Sequence, residues 1–143
     1  MKKIIVLLLV SLLLVGCSGK IKLEDKYYEK SEYIDLDYSK VDDLIKSKES
    51  FVLFIYQPMC TMSSSFEELL DEYMEIRKIS IYKMSFTDMK KTELKDTVRF
   101  YPSFIIFKDG EVVDFLDADS DEDTKKYKEL DAFKEWFESY VEV

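Results

Sequence analysis

An unbroken apolar run, Phe51-Val-Leu-Phe-Ile-Tyr56, ends in Gln57-Pro58-Met59-Cys60 and passes at once into a helical pattern. A run without polar alternation marks a strand buried on both faces, and such a strand needs a parallel or mixed sheet covered on either side. After Cys60 the apolar positions are Phe66, Leu69, Leu70, Tyr73 and Met74, one stripe of a helix, with Glu67, Glu68, Asp71 and Glu72 on the other side. The chain therefore hands a thiol from a central strand to the start of a helix. Unpaired N–H groups and the helix dipole favour a thiolate there and lower the thiol pKa. Ser63, three residues on, is placed to cap the helix, to donate its hydroxyl to the sulfur, or both.

Composition narrows the chemistry. The chain has no histidine, which removes Ser-His and Cys-His dyads and the commonest transition-metal ligand. Its glycines are Gly16, Gly19 and Gly110, too few for a glycine-rich phosphate loop. A net charge of −9 argues against nucleic acid as a partner. Asp117-Ala-Asp119-Ser-Asp121 opens like a calcium loop, but Glu122 stands where the sharp turn needs glycine, and Lys128 where the last carboxylate belongs. No metal and no cofactor is expected. The stretch reads as a solvated acidic loop before the last helix.

The two cysteines, Cys17 and Cys60, have different contexts. Lys2 and Lys3 precede an apolar run from Ile4 to Val15. As a helix that run spans about 18 Å, short of the roughly 30 Å hydrocarbon core, so it reads as a signal peptide rather than a stable span. Leu14-Val15-Gly16-Cys17 resembles the bacterial lipobox, whose cysteine is acylated and becomes the mature N-terminus. The expected organisation is a lipoprotein signal peptide over 1–16, a polar tether over 17–32 and one domain over 33–143. The chain would then sit on the extracytoplasmic face of a bacterial cell membrane, anchored through Cys17. Two acyl chains hold stably where one is marginal.

Within the domain, Tyr33-Ile-Asp-Leu36 alternates as a short strand. Ser39 is a candidate N-cap for a helix carrying Val41, Leu44 and Ile45. Ser80 to Met84 reads as a strand, and Leu94, Val98 and Tyr101 predict a helix over 88–100. Tyr101-Pro102-Ser103 leads into the buried strand Phe104–Phe107, and Asp109-Gly110 turns it into a hairpin arm over 111–116. Leu130, Phe133, Trp136, Phe137, Tyr140 and Val141 line a closing helix.

This α/β order resembles the thioredoxin fold, a central mixed sheet of four to five strands flanked by helices. Tyr101-Pro-Ser-Phe-Ile-Ile-Phe-Lys-Asp-Gly-Glu-Val-Val113 is similar to the thioredoxin segment of cis-proline, strand, turn and strand. Phe54-Ile-Tyr-Gln-Pro-Met-Cys60, with Phe66 beyond it, is similar to the cysteine stretch of thioredoxin-like bacteriocin transport accessory proteins. The resemblance implies a cis Pro102 packed against Cys60. It implies catalytic roles for Cys60, Ser63 and Pro102, and a substrate groove edged by Pro58, Met59, Thr61 and Tyr101. The backbone of Tyr101 would be left free to pair with an extended peptide.

Two departures matter. The family motif is Cys-x-x-Cys, whereas this chain has Cys60-Thr-Met-Ser63, with no second sulfur to resolve a mixed disulfide. The family's buried acid is replaced by Phe54, and the tryptophan before its cysteine by Met59. Three readings follow: monothiol exchange with a protein or peptide thiol or disulfide partner, a non-catalytic binding or accessory module, and a permanent disulfide such as a homodimer through Cys60.

Overall fold

The computed structural model describes residues 19–143. The expected signal peptide over 1–16 and the expected lipidation site Cys17 lie outside the described residues. Five strands form one sheet: β1 (Tyr33–Asp35), β2 (Val52–Tyr56), β3 (Ile81–Ser85), β4 (Ser103–Lys108) and β5 (Glu111–Phe115). Their order is β1-β3-β2-β4-β5. The first three run parallel, and β4 and β5 join antiparallel. The helices are α1 (Tyr38–Lys46), α2 (Thr61–Arg77), the single turn α3 (Phe86–Met89) and α4 (Leu130–Tyr140). The expected thioredoxin-like α/β architecture is the observed one.

β2 is central in the sheet, and Val52 to Ile55 are buried throughout, as an apolar run without alternation demands. One layer of the core is almost wholly aromatic. Phe104 meets Phe66, Phe133 and Phe137 edge-on, with ring centroids 6.4, 5.3 and 5.6 Å away. Edge-to-face pairing suits the charge distribution of aromatic rings. α2 and α4 are tied across their exposed side by Arg77, whose Nε and Nη2 donate to Glu138 at 2.7 and 2.9 Å. The hairpin turn has positive φ at both Asp109 (51°) and Gly110 (79°), as a two-residue turn matched to strand twist requires. A Cβ at Gly110 would stand 2.3 Å from the Ile45 carbonyl oxygen, so glycine is needed for space as well as for conformation.

Three local expectations are corrected. Asp37, not Ser39, caps α1: its carboxylate, two residues before Ser39, accepts from the Ser39 N–H at 2.8 Å and leaves Ser39 inside the first turn. No helix spans 88–100. Ser85 caps α3, and Thr92 then accepts from Leu94 N–H and starts a 3₁₀ turn over Glu93–Asp96, so two short side-chain-capped turns replace one helix. The third concerns the expected tether. From Ile21 onward it is packed: Ile21, Leu23 and Tyr27 are buried. Ile21 bridges Val141 in parallel, and Tyr28 bridges Ile79. Its polar residues face water while every second or fourth residue is apolar and points inward, a spacing too sparse to read as an element.

Candidate functional site

β2 ends at Tyr56, and Gln57 to Cys60 carry the chain into α2. Cys60 is the N-cap of that helix, its φ and ψ still extended at −93° and 118°. Met59 before it adopts a left-handed φ of 63° and is fully exposed. A non-glycine residue held there stores about 1–3 kcal/mol of local strain, a common mark of functional turns. Burial pushes the Cys60 thiol up. The Ser63 N–H, the Ser63 hydroxyl and the Met62 N–H pull it down further, and the net value lies below that of an ordinary thiol. Cys60 is a free thiol, half-buried at the surface.

Ser63 has a second duty. Its side chain is buried, and its oxygen accepts from the Gln57 N–H at 3.1 Å, closing the loop between β2 and α2. A hydroxyl that accepts from Gln57 keeps its own proton for the sulfur. The expected capping role is not what the structure shows: Cys60 holds the N-cap position, and Ser63, inside the first turn, spends its oxygen on the loop instead.

The Tyr101–Pro102 bond is cis. Pro102 is buried and Tyr101 is exposed. Among the described residues neither the N–H nor the C=O of Tyr101 meets a backbone partner. The Tyr101 ring stacks edge-on against Phe86 at 4.8 Å. Met59, Met62, Phe100 and Tyr101 are all exposed apolar side chains. Pro58 and Thr61 are exposed beside Cys60.

Sequence reading missed two features. The first is Tyr127. It is buried, its hydroxyl donates to the Pro102 carbonyl at 2.7 Å, and its ring meets Phe66 of α2 edge-on at 4.8 Å. One side chain thus holds the proline turn to the helix that Cys60 caps. Burial drives its phenol far above the ordinary range, so it remains a donor at every working pH. The second is Lys83 in β3. Its ammonium lies over the rings of Tyr56 and Tyr33 at 4.6 and 4.9 Å, with Phe54 at 6.0 Å, and pairs with Glu67 of α2. Phe54 therefore forms part of an aromatic wall under a lysine whose carboxylate comes from the next helix. A lysine in the middle of a core strand was the available signal.

The acidic loop is occupied by internal bonds. Asp123 accepts from the Asp117 N–H at 2.8 Å and pairs with Lys126 at 2.6 Å, and Asp117 accepts from the Asp119 N–H at 2.9 Å.

A cysteine capping a helix from a central strand, opposite a cis-proline entering an antiparallel strand, defines a thioredoxin-fold thiol site. The thioredoxin family model matches residues 33–132, and the chain belongs to that family. Solved structures agree on the fold. Thioredoxin from Schistosoma mansoni is 18% identical, with a TM-score of 0.58 over 78% of this chain and 97% of that one. A single-site mutant of thioredoxin from Halobacterium salinarum is 20% identical, with a TM-score of 0.56 over 80% and 96%. Thioredoxin f2, solved in complex with ferredoxin:thioredoxin reductase, is 20% identical, with a TM-score of 0.52 over 76% and 97%. No curated protein matches the chain. Family membership is consistent with thiol–disulfide exchange at the level of the family.

Proposed function

We propose that this protein is an extracytoplasmic lipoprotein of the bacterial cell membrane, anchored through Cys17, whose Cys60 carries out monothiol disulfide exchange on protein or peptide partners. The carrying observation is a free Cys60 thiol at the N-cap of α2, at the same end of the sheet as the cis Tyr101–Pro102 bond, where the Tyr101 backbone groups meet no backbone partner among the described residues. The Cys60 thiolate attacks one sulfur of a partner disulfide. A Cys60–partner S–S bond forms, the partner's own S–S bond breaks, and the released thiolate takes a proton from water. A second partner thiolate then attacks the mixed disulfide and returns Cys60 as thiolate. The cycle leaves the number of disulfides unchanged, so it isomerises without an added oxidant or reductant. Ser63 contributes hydrogen bonds to the thiolate and no second sulfur.

The reading is tested by acid-quenching cells and resolving disulfide-linked species of the native protein. Mixed disulfides that vanish in Cys60→Ala are expected. Their absence, together with an alkylation profile at the ordinary thiol pKa, overturns exchange.

A second reading has its own support in the exposed apolar collar of Met59, Met62, Phe100 and Tyr101, which suits binding without chemistry. A bacteriocin or secretion accessory module is of this kind. Partner retention undiminished in Cys60→Ala, with no mixed disulfide, favours it.

A further inference from the structure

The segment Gly19 to Tyr28 runs beneath one end of the sheet. Gly19, Lys20 and Ile21 line a shallow cleft with Lys108 and Val113 of the β4–β5 hairpin and with Tyr140 at the end of α4. Ile21 donates to the Tyr140 carbonyl at 2.7 Å and accepts from Glu142 at 2.9 Å. Farther along, Tyr27 accepts from Ser80 N–H at 2.7 Å, just before β3 begins, and its hydroxyl donates to Glu49, just before β2 begins. The starts of β2 and β3 and the β4–β5 turn all lie at the same pole, because β2 and β3 run parallel and β4 runs against them. Cys60 follows the far end of β2, and Pro102 precedes the start of β4. The thiol is therefore at the opposite pole, separated by the length of a six-residue strand, roughly 20 Å.

Resting on the reading of Cys17 as the lipid anchor, we propose that this pole is a membrane-facing surface, that the domain stands directly on the bilayer without a tether, and that Cys60 points away from it. A chain from Cys17 to Ile21 reaches at most about 14 Å even when fully extended. Ile21 is fastened on both sides, so the anchor cannot swing to the Cys60 pole without unpacking Leu23 and Tyr27, which are 2 % and 1 % exposed. The charges agree. Lys20, Lys46, Lys48 and Lys108 are exposed at this pole and make no ion pair among the described residues. Exposed carboxylates on the same segments, Glu24, Asp43, Asp109, Glu111 and Glu142, accompany them, so the pole carries both signs of charge in a chain of net charge −9. An anionic bilayer tolerates a pole that presents unpaired lysines and repels the acidic remainder. The partner this orientation fits is an extended segment of a soluble protein or of an ectodomain standing clear of the membrane, not a thiol at the bilayer surface.

The test uses the full acylated protein reconstituted into phosphatidylethanolamine–phosphatidylglycerol vesicles with a nitroxide quencher on the lipid headgroups. One sample carries a fluorophore on Cys60. Others carry it on Lys108→Cys or Glu111→Cys, each in a Cys60→Ser background. Loss of emission at both hairpin positions and none at Cys60 is expected. Equal quenching at the two poles, or quenching at Cys60 alone, overturns the orientation while leaving the anchor intact. Failure of the unlabelled protein to float with vesicles removes the anchor itself, and the orientation with it.

Discussion

Ser63 sits where the family's second cysteine would, and its two bonds set the behaviour of Cys60. Ser63→Ala removes the acceptor for the Gln57 N–H and the hydroxyl near the sulfur. Its expected cost is about 1 kcal/mol of stability, read by urea unfolding. Alkylation of Cys60 should move to higher pH in the same variant. The sign follows from linkage. The folded-state thiol pKa lies below the unfolded one, so ionisation adds stability above the ordinary thiol range, and that increment is lost as pH falls through the folded value. Ser63→Ala narrows this window from its acid side. Ser63→Cys restores a second sulfur at a buried position. Mild oxidant should then remove both thiols at once without forming dimers, and trapped mixed disulfides should become scarce. Tyr127 acts at longer range. Tyr127→Phe leaves the Pro102 carbonyl without its donor and should cost about 1–3 kcal/mol.

Among the elements, the β4–β5 hairpin has the least tolerance. Gly110→Ala places a methyl group against the Ile45 carbonyl at a positive φ. It should destabilise the domain by more than the roughly 1 kcal/mol that a strain-free Gly→Ala change can contribute in the other direction, lowering the urea midpoint while leaving Cys60 alkylation in the folded state unchanged. α2 was legible because its stripe, its acidic face and Cys60 at its head are all local. The region 88–100 was not, because Leu94 and Val98 are spaced for a helix whether or not Ser85 and Thr92 divide it into two capped turns. Competition between side-chain and main-chain acceptors leaves no trace in hydrophobic spacing.

At the scale of the whole molecule, the segment 19–28 separates a packed domain from a tethered one. Leu23→Ala should cost about 2–5 kcal/mol, as for any buried leucine, whereas a leucine in a free tether would cost nothing. Urea unfolding of the mature domain decides between them. On the proposed anchoring through Cys17, the same segment puts the anchor and the thiol at opposite poles.

The strand that delivers Cys60 to a helix, the proline before β4, the Asp-Gly hairpin and the closing helix were all determined by the sequence itself. Each rests on residues a few positions apart, where periodicity and turn chemistry act. The same holds for the missing resolving sulfur, since Ser63 is three residues from Cys60. Only the tertiary structure decided that Tyr127 grips Pro102, that Glu67 and the rings of Tyr33 and Tyr56 surround Lys83, and that the apparent tether is a buried strap under the sheet. Those contacts join residues far apart in the chain. Their stabilisation comes from burial and pairing that exist once the sheet has formed, so no local pattern announces them.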